Sequence, residues 1–172
     1  MVKQGIDWCN LHYKKISNFH FHYVAVSNDL YNNTAQVNDW EFRFPYDDNY
    51  FDLVISISVF THMQQAGVKN YFLEIARVLK TGKHCFATFF IFNEERKIKF
   101  EKGRSFFKYQ DGDQYLHDNH VKDANVAFEY EAVKQMAATA GLTIIRFLPG
   151  WWNDGKPNEK FDFQDVIILQ KV

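Results

Sequence analysis

The sequence predicts a three-layer α/β sheet, parallel except for an antiparallel strand at its end, on three observations. A β-branched, nearly continuously apolar run, Phe51–Phe60, leads into an amphipathic helical pattern and then a second apolar run, His84–Phe92. Strand, helix and strand within about 40 residues make a right-handed parallel crossover. Near the end, Leu142–Leu148 and Phe163–Gln170 are joined by Pro149–Asp162. That connection is too short for a helical crossover and suits antiparallel pairing.

Taken in order, the first element is a helix. Ile6, Cys9, Tyr13 and Ile16 recur at helical spacing and form one apolar stripe. Ser17-Asn18 break it, and Phe19–Val26 alternates aromatic residues with His before turning apolar, as a strand does. Asn28–Asp39 is polar and turn-rich. Phe51–Phe60 reads as a strand buried on both faces, as in a parallel sheet. A helix is expected from Gln64 or Gly67 to Leu79, with Val68, Tyr71, Phe72, Ile75, Ala76 and Leu79 on one face. Lys80 and Lys83 suit the negative end of its dipole, and Gly82 suits a left-handed exit. Asn93–Asn125 is charged, aromatic and without a clean period, a long connection of the kind that forms a lid or binding segment. A further helix presents Ala132, Val133, Met136, Ala137 and Ala140 on one face and ends at Gly141.

Composition narrows the functional classes. The 172 residues are 47% hydrophobic and 24% charged, which suits one folded domain spanning 1–172. Lys plus Arg is 20 and Asp plus Glu is 21, so the net charge of -1 lacks the basic bias of many nucleic-acid binders. No apolar run approaches the roughly 20 residues of a membrane span. Cys9 and Cys85 are far apart, so no disulfide framework is expected, and the expected compartment is the reducing cytoplasm.

Three stretches carry a resemblance. "FRFPYDDNYFDLVISISVFTHM" resembles the segment entering and leaving the fourth strand of class I S-adenosylmethionine-dependent methyltransferases. "YFLEIARVLKTGKHCFATFFI" resembles the helix and fifth strand that follow, where the family pattern ends its helix in Arg-Val-Leu-Lys-Pro-Gly-Gly. The tail, "GWWNDGKPNEKFDFQDVIILQKV", is similar to the family's closing hairpin. On the family's strand order, 3-2-1-4-5-7-6, Val2–Lys15 matches the helix before strand three and Phe19–Val26 strand three. Phe51–Val59 and His84–Phe92 match strands four and five, and the last two runs match strands six and seven. Strands one and two have no counterpart, so the chain is expected to be the carboxyl-terminal portion of this Rossmann-like fold.

The resemblance implies methyl transfer from S-adenosyl-L-methionine to a small-molecule acceptor. The family's glycine-rich loop follows strand one, and an acid ending strand two holds the cofactor's ribose. No Gly-x-Gly occurs in the sequence, so the 172 residues alone are expected to bind the cofactor weakly or not at all. At the end of strand three, where the family places an Asp against the adenine amino group, stands Ala25. Ser27 and Asn28 are the substitutes beside it.

Further candidates follow from position. Ser58, Val59, Phe60, Thr61 and His62 leave the carboxyl end of strand four, where ligands of open α/β sheets bind, and the resemblance implies that Ser58, Val59, Phe60 and Thr61 line the cofactor and face the substrate. Against this, Phe60 and Met63 suit a core, and Thr61 suits a helix cap. His62 is a candidate general base, since histidine as a residue type titrates near neutrality. Asn93, at the head of the 93–125 lid or insertion, and Trp151 and Trp152, beyond strand six, are candidates for contact with substrate. One of the tryptophans is expected to pack beneath the loop. His20 and His22 share a strand face, but no further ligands accompany them, and no metal site is expected. His117 and His120 give no stronger signal, and Asp154 and Asp165 carry no evident chemistry.

The alternative to an enzyme is a non-catalytic remnant acting as an interaction or oligomerisation module. Without strands one and two the sheet would present an open edge, a template for a dimer or a partner chain. A nicotinamide-binding domain would need a glycine fingerprint that is absent.

Overall fold

The computed structural model describes residues 3–153 and 157–172. Val2 and Asp154, singled out above, lie outside the described residues. Four helices are described: α1 (Lys3–His12), α2 (Gln65–Val78), α3 (Glu94–Glu101) and α4 (Tyr130–Thr139). The strands are β1 (Phe51–Ser56), β2 (Leu79–Phe89), β3 (Ile91–Phe92), β4 (Tyr109–Asp111), β5 (Gln114–Leu116), β6 (Val126–Glu129), β7 (Leu142–Leu148) and β8 (Asp165–Lys171).

The main sheet has the order β1-β2-β8-β7. β1 and β2 are parallel, joined through α2, and β8 runs antiparallel to both of its neighbours. The expected crossover and antiparallel closing pair are therefore present. The order corresponds to strands 4-5-7-6 of the family, and β1 forms one edge. α2 and α4 cover one face. Phe72, Ile75, Val133, Met136 and Ala137 meet Cys85, Ala87, Phe89, Leu142, Ile167 and Leu169 there in one buried cluster.

Four expectations need correction. First, β1 is not buried on both faces. Leu53, Ile55 and Ile57 are 52%, 60% and 61% exposed, beside the partly exposed Phe86 that pairs with Ile55. No residue of α1 is buried, so that helix does not supply the third layer of the expected sandwich. Second, Phe19–Val26 is no strand. Only Val26 makes a bridge, to Val37, because alternation creates a strand only where a neighbour supplies the ladder. Third, Gly82 has a left-handed φ of 75° but does not end α2. The helix stops at Val78, its cap Leu79 is already extended, and residues 80–83 bulge out where the register jumps from Phe51–Leu79 to Leu53–His84. Lys80 and Lys83 pair with Asp52 instead of serving the helix end. Fourth, the strand after α2 breaks at Phe90, and Ile91-Phe92 leaves for a second sheet, β3-β6-β5-β4.

Two of the four strands of that second sheet, β4 and β5, come from the 93–125 segment. Asn93 caps α3, its Oδ1 accepting from the Arg96 amide at 3.0 Å. Phe90, Phe92, Phe107, Tyr115 and Ala127 then bury one another in a second small core. Trp152 packs against it.

Candidate functional site

A cleft of about 370 Å³ opens where β1 ends. Its walls are Val24, Val26, Ser27, Asn28, Tyr31 and Asp39 from the long loop before β1, and Ser58, Val59, His62, Met63 and Tyr71 from the turn and helix after it. The place is the one where open α/β sheets bind ligands.

Local chemistry shapes both walls. Ser58 adopts a left-handed φ of 54°, a conformation that costs a non-glycine residue about 1–3 kcal/mol. Its amide donates to buried Thr88 Oγ1 at 2.8 Å and its hydroxyl to Gln164 Oε1 at 3.1 Å, which holds the bend. The chain then enters a 3-10 turn, Phe60–His62. On the facing wall, Asn28 Oδ1 accepts from the Leu30 and Tyr31 amides, a side-chain turn, while its Nδ2 donates to the His62 carbonyl at 2.8 Å. One asparagine thus ties the two walls together.

His62 is fixed from a third direction. Its Nδ1 lies 3.1 Å from the Asp123 carbonyl. A carbonyl only accepts, so Nδ1 carries a proton, and in the neutral ring Nε2 is the acceptor. The turn bearing Asp123 is itself clamped. The Asp123 amide donates to Asp29 Oδ1, the Asp29 amide donates to Asp123 Oδ2, and Gln64 Nε2 donates to Asp123 Oδ1. Tyr31 stands edge-on to the imidazole at 5.4 Å.

The structure brings Ser27, Asn28, Ser58, Val59 and His62 together in this cleft. Phe60 and Thr61 are fully buried beside it, and the Thr61 hydroxyl has no hydrogen-bond partner. Asn93 is the exposed cap of α3, outside the cleft's lining. Neither Trp151 nor Trp152 lines the cleft either. Trp151 packs on Phe163 at 4.7 Å. Trp152 is pinned, its indole N–H donating to Asp165 Oδ2 at 2.7 Å and its ring receiving the Arg96 guanidinium at 4.6 Å. Asp165 is fully buried and pairs with Arg96 at 2.8 Å, while the Ile91 and Gly150 amides also donate to it. Among the described residues no group of three or more His, Cys, Asp and Glu could hold a metal ion, and no helix is long and apolar enough to cross a membrane.

Sequence reasoning missed Asp39, Tyr31 and Tyr71 as lining residues. Tyr71 reads as one more member of an apolar helical stripe, and its phenol is pushed up to about 12 by burial and by Asp39. Asp39 has a distinct signal, a glycine. A Cβ on Gly67 would meet Asp39 Oδ2 at 2.0 Å and Met63 Cε at 2.8 Å, so glycine alone lets the carboxyl lie against α2.

The sequence pattern of a methyltransferase domain matches residues 16–87. Among solved structures, an S-adenosylmethionine-dependent methyltransferase of Methanosarcina mazei superposes over 99% of this chain and 79% of its own, with a TM-score of 0.57 and 15% identity. A candidate sarcosine dimethylglycine methyltransferase of Galdieria sulphuraria does so over 99% of this chain and 67% of its own, with a TM-score of 0.54 and 12% identity. The 1,6-didemethyltoxoflavin-N1-methyltransferase of Burkholderia thailandensis matches over 78% of this chain but 48% of its own, with a TM-score of 0.48 and 13% identity. Residues 16–87 thus match the pattern of a methyltransferase domain, and the chain shares the fold of S-adenosylmethionine-dependent methyltransferases.

Proposed function

We propose that this domain takes part in S-adenosylmethionine-dependent methyl transfer to a small-molecule acceptor, in the cleft at the end of β1. The observation that carries this is convergence. Ser27, Asn28, Ser58, Val59 and His62, selected by their place in the methyltransferase pattern, line one cleft although 30 residues separate Asn28 from Ser58. The volume, about 370 Å³, lies within the roughly 300–1,000 Å³ of small-molecule sites. The lining offers hydroxyls, an amide and a carboxyl but no Lys or Arg, a donor set compatible with a sulfonium.

When bound, the cofactor supplies a methyl group on a cationic sulfur. The protein's own part is positioning and proton handling. Ser27, Asn28 and Ser58 hold polar groups of the ligand, and Val59 and Met63 exclude water. His62, oriented by its Nδ1–H bond to the Asp123 carbonyl, accepts a proton from the acceptor through Nε2 in its neutral form. With no Gly-x-Gly in the sequence, affinity of these 172 residues for S-adenosylhomocysteine should be weaker than micromolar. Titration followed by amide NMR should shift Ser27, Asn28 and Ser58. No shift at millimolar concentration, or shifts confined to another surface, would refute the assignment.

The exposed face of β1 supports a second reading, an association module. Leu53, Ile55 and Ile57 present apolar surface next to a strand edge that has no ladder partner among the described residues. Sedimentation showing a stable monomer at high concentration would argue against it.

A further inference from the structure

Asp39 lines the cleft with no cation beside it. Burial and the neighbouring Asp123 carboxylate push its carboxyl up to about 6, opposed only by the Trp40 amide and its own. Several other carboxylates have a cation, whereas buried Asp123 has the Asp29 amide and Gln64 Nε2 in place of one. Asp48 and Glu74 share Arg77, Asp52 has Lys80 and Lys83, and buried Asp165 has Arg96. No Lys or Arg is among the residues lining the cleft. Removing a carboxylate from water without a counter-charge is costly, and folds keep such groups chiefly where a ligand meets them. Gly67 leaves room for it, because a Cβ there would meet the Asp39 carboxyl and displace it from α2.

We propose that the cleft takes an organic cation, the protonated amine of the methyl acceptor, with Asp39 as its counter-ion. This rests on the proposed function, with the acceptor meeting the cofactor in this cleft. It adds that the acceptor is basic rather than a carboxylate, phosphate or neutral alcohol. His62 Nε2, on the same cleft, is the group placed to relieve such an ammonium of its proton. The cofactor's sulfonium is also an organic cation, so the two sources must be separated.

The test is NMR titration with benzylamine, benzyl alcohol and benzoate at roughly pH 7.5, where Asp39 is ionised and an alkylamine is protonated. Benzylamine should shift the amides of Asp39, Ser58 and Tyr71 and lower the Asp39 carboxyl pKa by about one unit, equivalent to about tenfold tighter binding of the ionised form. Benzyl alcohol should bind about tenfold more weakly and benzoate not at all. Asp39→Asn should erase the preference, and Gly67→Ala should weaken it. The carboxyl titration of the unaltered protein needs no variant to fold. Equal binding of the three probes, or an Asp39 carboxyl indifferent to benzylamine, overturns the proposal. So does an Asp39-dependent preference for S-adenosylmethionine over S-adenosylhomocysteine without one for benzylamine, which would assign the cation to the cofactor. If S-adenosylhomocysteine shifts the cleft and benzylamine does not, only the amine proposal fails. If neither does, the cleft assignment falls with it.

Discussion

Two aspartates show how differently this chain treats a carboxylate. Asp165 is fully buried and, although burial still raises its carboxyl, it is held by Arg96, two backbone amides and the Trp152 indole. Asp39 is half-buried and faces a cleft whose lining holds no Lys or Arg, with the Tyr71 phenol and the Asp123 carboxylate near it. The first carboxylate ties the second sheet to the end of β8. The second is an unpaid debt of the folded state, which a ligand can settle. Burial alone therefore does not mark a functional acid; a buried acid that faces a cleft without a cation is the candidate.

The largest expected effect is at the compensated site. Asp165→Ala leaves Arg96 buried without a counter-charge and strands the Gly150 and Ile91 amides. It should cost about 3–5 kcal/mol in urea unfolding and release the Trp152 fluorescence. A small loss would erase the contrast.

Asp39→Asn should act in the opposite direction. The Asp39 carboxyl is raised from 3.8 to about 6, so the folded protein keeps its proton at pH values where the unfolded chain has lost it. The resulting penalty is complete above about 6 and disappears below 3.8. The variant should thus be more stable at neutral pH, by on the order of 1 kcal/mol after allowing for solvent screening, and equal to the parent in acid. Melting curves at several pH values check this.

The smallest effect on stability belongs to the open face of β1. Ile55→Lys should change unfolding free energy by no more than about 0.5 kcal/mol while reducing any concentration-dependent association seen in sedimentation. A large destabilisation would mean that Ile55 is covered in solution.

Legibility in the sequence follows the range of the forces involved. The crossover β1–α2–β2 was readable because periodicity is local. So was the pairing of β7 with β8, fixed by a short connection. The Phe19–Val26 strand was misread because alternation says nothing about whether a neighbour is there to complete a ladder. The second sheet was invisible because strands such as Tyr109–Asp111 and Gln114–Leu116 are too short to show a period. His62 and Asn28 were found through a motif. Asp165 yielded no role because its partner Arg96 is 69 residues away in sequence. Asp39 was missed for a similar reason, since its constraint, Gly67, is written as an ordinary glycine inside a helix.

The most direct measurement is the carbon-detected pH titration of the Asp39 side chain, alone and with benzylamine. A carboxyl titrating near 6 that falls when the amine binds is the expected result. A carboxyl titrating in the ordinary aspartate range, and unmoved by the amine, would contradict the idea that this cleft holds an acid waiting for a cation.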